Sequence, residues 1–464
     1  MAWAAALLLP AAPAWSALYH VPGDLPSVGA ALGLALAGDT VLVAPGTWSC
    51  SADVHTGVTL LGDGLPGSVV LDAGGQGAAL RLADANGSTL LSNLVLTGGT
   101  GTLVDQTRYG GGLYAVRSSA VLSRVRITGC SAAVGGGAYF EQGAPALRGC
   151  QLDHNQGDFG AGLALNHGIA RLDTCSLSAN SATSAGGGIL SLNGASLAMF
   201  LGDLTGNSSS ADGGGMYFLN STANLLAVTV AQNTAAGDGG GIFSGMGCGL
   251  SLNTDVLVGN RAARGGGLYA GCGGPTARPL PGRLRGAARA APGSGCSQAA
   301  ILGNTFVGNT ASVAGGAAAL NDQAMLGFVY NIVIQSGGGY GLSCLDLRAS
   351  LDLRCDDFWH NQPADLGPGC SGTDIASVDP MFCNASGGDY GLCSNSPMAS
   401  VPCTISGTFL GAYGVNCGSC APAVRTTTWG RLRRLYGPDP RPATAPAGAA
   451  AASRAPATRL PSSR

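Results

Sequence analysis

Lysine is absent from this chain and Glu141 is its single glutamate, so the 23 basic residues are all arginine and charged residues total only 10%. Residues 1–420 carry 24 acids against 15 Arg, and no recognition motif stands out, which argues against a nucleic-acid partner. No stretch beyond the N-terminal segment is long and apolar enough to span a membrane. Between Arg171 and Arg261 there is neither Arg nor Lys, which leaves that stretch poorly supplied for catalysis.

What is present is glycine, 78 residues of it, with 46% apolar residues. Low charge with much glycine suits disorder, but this apolar content is enough to fill a core, and a short repeat lets the two coexist. The repeat is visible. Glycine clusters begin at Gly110, Gly135, Gly160, Gly186, Gly213, Gly239, Gly265, Gly315 and Gly337, with intervals of 25, 25, 26, 27, 26, 26, 50 and 22 residues. Each precedes a short apolar strand such as Met216-Tyr217-Phe218-Leu219. About ten residues later a second strand ends in asparagine, as in Leu172 to Asn180 and Leu225 to Asn233.

The expected fold is an all-β, single-stranded right-handed parallel β-helix with coils of about 25 residues. Asn155, Asn180, Asn207, Asn233, Asn260 and Asn309 would form a corner ladder, with Cys130 in the same place one coil earlier. Parity within the second strand puts Cys150, Leu152 and His154 on the same inward face as Cys175, Leu177 and Ala179. Cys150 and Cys175 are then stacked neighbours, forming either an inter-coil disulfide or an inert thiol pair. The 50-residue interval contains a Pro/Arg-rich insertion at 273–295, a surface insertion or a binding feature, flanked by Cys272 and Cys296 as a disulfide candidate.

Four regions follow. Residues 1–16 read as a signal peptide, which with 15 cysteines places the chain outside the cytosol, secreted or in the cell envelope. Residues 17–354 are the β-helix, opened by a cap helix within Pro26–Leu36. Residues 355–420 form a cysteine-rich end, with Cys383 and Cys393 the preferred pair and the partners of Cys355, Cys370, Cys403, Cys417 and Cys420 open. Residues 421–464, with eight Arg and one Asp, read as a basic disordered tail.

Ser27 to Gly46 and Val58-Thr59-Leu60-Leu61-Gly62 resemble the opening of secreted β-helix proteins of the pectin-lyase-like superfamily. The repeated Gly-Gly-Gly-(Leu/Ile/Met)-(Tyr/Phe) with its following Asn resembles the repeats of chlamydial polymorphic outer-membrane proteins and their bacterial relatives. Asp379-Pro380-Met381-Phe382-Cys383, Gly388 to Cys393 and Gly411-Ala412-Tyr413-Gly414 resemble the end of many such proteins. The resemblance implies fold and export from a bacterial cell rather than an activity.

Hydrolysis needs a separated pair of carboxylates, and lyase chemistry a base, often with Ca²⁺. Asp153, Asp158 and Asp173, and farther on Asp203, Asp212, Asp238 and Asp255, make no dense acidic shelf, and His154 and His167 lie 13 apart. Asp356, Asp357 and His360, beside Trp359, are the weak catalytic candidates; no metal or cofactor site is otherwise marked. The favoured function is a secreted or envelope-associated, adhesin-like structural protein without catalysis, meeting carbohydrate or cell-surface components. The alternative is a polysaccharide lyase or glycoside hydrolase, for which Ca²⁺ would be the expected ion.

Overall fold

A computed structural model describes residues 16–272, 279–281, 283–284, 295–321, 323–346, 348–400 and 410–420. The signal-peptide residues up to 15, Cys403 and the basic tail lie outside them. Contacts group residues 1–420 into one unit and 421–464 into another. Within the first, the chain winds as a parallel β-helix. Its strands join thirteen-, twelve-, nine- and eleven-stranded sheets, visited in that order around each full coil. Strands of successive coils pair in parallel, and successive partners such as Leu122, Leu147, Leu172 and Met199 are about one repeat apart.

The interior is a set of apolar columns. Leu152, Leu177, Leu204, Val230 and Leu257 stack in one of them, all fully buried. Each column works like the buried face of an ordinary parallel sheet, with burial contributing about 25 cal/mol per Å².

Leu172 to Asn180 is not one strand. Ile169–Asp173 belongs to the thirteen-stranded sheet and Ser176–Ser178 to the twelve-stranded one, and between them Thr174 turns the chain at φ +52°. The turn resets alternation, so Leu172, Cys175 and Leu177 all point inward. The same geometry corrects the expected inward place of His154. At φ +55° it leaves its strand and its side chain is exposed, bonded through Nδ1 to Asp153.

Glycine triplets mark the corner between the nine- and eleven-stranded sheets. Gly213 turns there at φ +65°, and a Cβ on Gly214 would meet the carbonyls of Gly240 and Thr234 at 2.5 Å. No larger residue fits so close an approach between coils.

At the preceding corner the asparagines form a buried hydrogen-bonded column. The Asn180 Oδ1 accepts from the backbone N–H and the Nδ2 of Asn155, both at 3.0 Å, while its own Nδ2 donates to the Leu152 carbonyl at 2.9 Å. Asn207, Asn233, Asn260 and Asn309 repeat the pattern, and Cys130 donates its backbone N–H to Asn155.

The chain ends are treated differently. Helix α1, Val28–Leu34, is capped by the Ser27 side chain and buries Val28, Ala31 and Leu32. At the C-terminal end, residues beyond Trp359 make isolated bridges to the last strands. The chain then folds back along the outside of the twelve-stranded sheet, where Tyr390, Leu392, Met398 and Leu410 cover Val256, Val307, Ile332 and Ile334.

Disulfides join Cys272 to Cys296, Cys344 to Cys370, Cys383 to Cys417 and Cys393 to Cys420, and Cys355 is also disulfide-bonded. The expected Cys383–Cys393 pair is therefore corrected. Phe382–Asn384 and Asp389–Cys393 are antiparallel neighbours, but Val415–Cys417 pairs on the far side of Asp389–Cys393 and brings Cys417 and Cys420 within reach. Cys150 and Cys175 are buried free thiols.

Replacing Asn207 by Ala would orphan the buried donors of Asn180 and the Leu177 carbonyl at once. The expected loss is about 3 kcal/mol or more, read as a lowered denaturation midpoint against an exposed control such as Ser210→Ala.

Candidate functional site

The sequence candidates Asp356, Asp357 and His360 do not converge. Asp356 is fully buried and ends a second polar column, formed by Asp255, Asn304, Asn331 and Asp356 at the corner between the thirteen- and twelve-stranded sheets. Its Oδ1 accepts from the backbone N–H and Nδ2 of Asn331 at 2.7 and 3.0 Å. Burial pushes its carboxyl well above the usual range. Asp357 is likewise buried, accepts from the Val378 N–H at 3.1 Å and is pushed up to about 7 by burial. His360 turns outward at φ +56° and stacks on Trp359 at 4.2 Å. The corner directs the Asp356 carboxyl into the coil, Asp357 lies on the outer face of its strand beneath the C-terminal segment at Val378, and the His360 imidazole points away from both.

The second column escaped the sequence reading because Val125, Cys150, Cys175, Gly202 and Val228 hold its earlier places. Its signal was Asn304 and Asn331, five residues ahead of the first ladder's places at Asn309 and Ser336.

Other acids are engaged. Burial opposes charge on Asp153, but Arg126, His154 and Thr128 outweigh it and hold the carboxyl at about 2. Asp212 and Asp238 lie on adjoining coils, where the Asp238 N–H donates to Asp212 at 2.8 Å and Arg264 clamps Asp238 through two nitrogens. All three immediately precede a glycine triplet, a coincidence of position that could have marked them in the sequence. The sulfurs of Cys383, Cys393 and Cys417 lie within 4.8 Å of one another, but as disulfide sulfurs they offer no thiolate to a metal.

The open face of the thirteen-stranded sheet has a different character. Its outward residues stack into columns, the central one reading Arg171, Ala198, Asn224, Ser251, Ala300, Gly327 and Asp352. Where Ser251, Ala300 and Gly327 leave little bulk, the face sinks into a groove of about 620 Å³, with Thr222, Asn224, Gln298, Met325, Ser350 and Asp352 around it. It crosses five coils, about 19 Å at 4.8 Å per step. Leu226, Asn253, Leu302 and Val329 form a column along one side, apolar except at Asn253. Arginine–aspartate pairs stand at both ends of the central column. Arg171 bonds Asp173 at 2.8 Å and lies 4.4 Å from the Phe200 ring centre, and Arg354 bonds Asp352 at 2.7 Å. Asp352 is the one carboxylate lining the groove among the described residues.

No protein-family model matches the sequence, and no curated protein matches it. The expected kinship with polymorphic outer-membrane proteins thus has no support from these comparisons. Among solved structures, the crystal structure of pectate lyase Pel9A aligns at 14% identity over 86% of this chain and 97% of that one, with a TM-score of 0.44. A mutant of the PL6-family alginate lyase AlyGC aligns at 17% identity over 83% of this chain and 55% of that one, with a TM-score of 0.40. Likeness at this level transfers no residue role and no activity.

Asp255, also pushed up to about 7 by burial, and Asp357 keep their protons in the folded chain to near neutrality, whereas unfolded they lose them near pH 4. The folded state then binds more protons between those values, so their contribution to stability falls as pH rises from about 4 to 7 and levels off above. Denaturation midpoints across this range should show that slope. Asp255→Asn combined with Asp357→Asn should reduce it, leaving the part due to Asp356, and an unchanged slope would contradict the assignment.

Proposed function

We propose that this chain is an extracellular or envelope-associated β-helix protein that binds an extended polysaccharide along the groove of its thirteen-stranded sheet. The observation that carries the proposal is the groove itself. The side chains of Thr222, Asn224, Gln298 and Ser350 bring amides and hydroxyls from three of its five coils beside a floor of Ser251, Ala300 and Gly327. A linear sugar polymer offers hydroxyls and apolar ring faces at a comparable repeat, and Leu226, Leu302 and Val329, in a column interrupted by Asn253, supply apolar surface for the latter. The disulfides support an oxidising compartment. Among the described residues, no helix is long and apolar enough to cross a membrane.

A second reading, a lyase or hydrolase acting on the same polymer, is favoured by Asp352 with Arg354. A carboxylate that can accept a proton stands there beside a cation that can hold an anionic sugar. Hydrolysis by paired carboxylates would need a second acid, and none of the described residues around the groove provides it.

A panel of immobilised neutral and acidic polysaccharides, assayed for both retention and release of unsaturated or reducing ends, separates the two. Binding without product is expected. Gly327→Trp should weaken that binding at least tenfold while the coil stays folded, since nothing lies nearer than 3.9 Å to a Cβ there. Product release lost in Asp352→Ala would establish the enzyme instead, and absence of any retention would end both readings.

A further inference from the structure

The eleven-stranded sheet turns an aromatic and apolar column outward, formed by Tyr114, Tyr139, Ala164, Leu190, Tyr217, Phe243 and Tyr269. Tyr217, Phe243 and Tyr269 stack with ring centres 4.6 and 5.2 Å apart. This face is covered. Leu280 and Leu284, from the insertion, are buried in the cluster it forms.

Arg283 is held with more detail than covering an apolar face requires. Its guanidinium donates to the Glu141 carboxylate and lies 4.0 Å from Asp105. Its backbone N–H donates to the Tyr109 hydroxyl at 3.3 Å, and its carbonyl accepts from Asn166 Nδ2 at 3.5 Å. Side chain and main chain are thus both recognised, with a leucine seated beside them, as in a groove reading a bound peptide. The anchoring strand at Glu141 lies five coils from the strand of Tyr269, after which the insertion leaves the coil, about 24 Å at 4.8 Å per step.

The sequence around Arg283 and Leu284, Gly282-Arg283-Leu284-Arg285, occurs a second time as Gly430-Arg431-Leu432-Arg433. We infer that Tyr109, Glu141 and Asn166 form a recognition site for the Gly-Arg-Leu-Arg sequence, filled by the chain's own insertion and exchangeable for the 430–433 tetrapeptide of a second copy. Such exchange would link copies of the chain through the basic segment, leaving the polysaccharide groove on another face free.

The test uses full-length protein and a fluorescent peptide of residues 428–436, followed by anisotropy. Every chain carries Arg431→Ala with Leu432→Ala, so that its own segment does not compete. Emptying the site with Arg283→Ala and Leu284→Ala should make peptide binding at least tenfold tighter than to the chain with the insertion intact. Adding Glu141→Gln should reverse that gain. Arg283→Met, which keeps bulk over the aromatic column, serves if the double change costs solubility. With residues 431 and 432 restored, the emptied chain should self-associate in sedimentation. Equal peptide binding with and without Arg283, indifference to Glu141→Gln, or an emptied chain that stays monomeric would each overturn the inference.

Discussion

The register between coils is the constraint on which every other feature depends. It is enforced at the corners, where each asparagine of the first ladder after Asn155 accepts two hydrogen bonds from the asparagine of the preceding coil and satisfies a carbonyl of that coil. A shift of one residue would break these buried bonds along the column and expose the apolar faces beside them. The coils are therefore locked in phase, and like residues become columns. A groove, an aromatic stripe and an ion-paired ladder are all consequences of that phase.

What distinguishes the faces is what covers them. The C-terminal segment folds back over the late strands of the twelve-stranded sheet, with Leu392 and Met398 against Val307 and Ile332. The insertion places Leu280 and Leu284 on the aromatic column of the eleven-stranded sheet. The groove on the thirteen-stranded sheet stays open, and its lining mixes amide, hydroxyl and carboxylate groups with alanine and methionine. Apolar outer faces are buried by the chain's own excursions, which is how an extended solenoid avoids a large exposed apolar patch.

The buried carboxyls at Asp255 and Asp356 show how the column tolerates substitution. A neutral carboxylic acid can take the place of an amide as acceptor, since Asp356 Oδ1 receives the same two bonds from Asn331 that an asparagine oxygen would. Burial raises both carboxyls, Asp255 to about 7 and Asp356 well above the usual range, so that they are held as neutral acids below those values rather than expelled. A cluster that looks chemical in one dimension is thus part of the scaffold in three.

The winding, the first ladder's positions, the N-terminal helix and the base of the insertion could be read from the sequence, because each rests on a local repeat or on neighbouring residues. The glycine interval alone implied stacked coils, and stacked coils implied aligned asparagines. The orientation of His154, the partners of Cys383 and Cys393, the second column through Asn304 and Asn331, and the groove between Thr222 and Asp352 depended on the tertiary structure. These follow from where a left-handed residue resets the alternation of side chains and from which distant segments fold back onto which face. Neither is encoded in spacing along the chain, because corner torsions and long-range packing are settled only when neighbouring coils are in place.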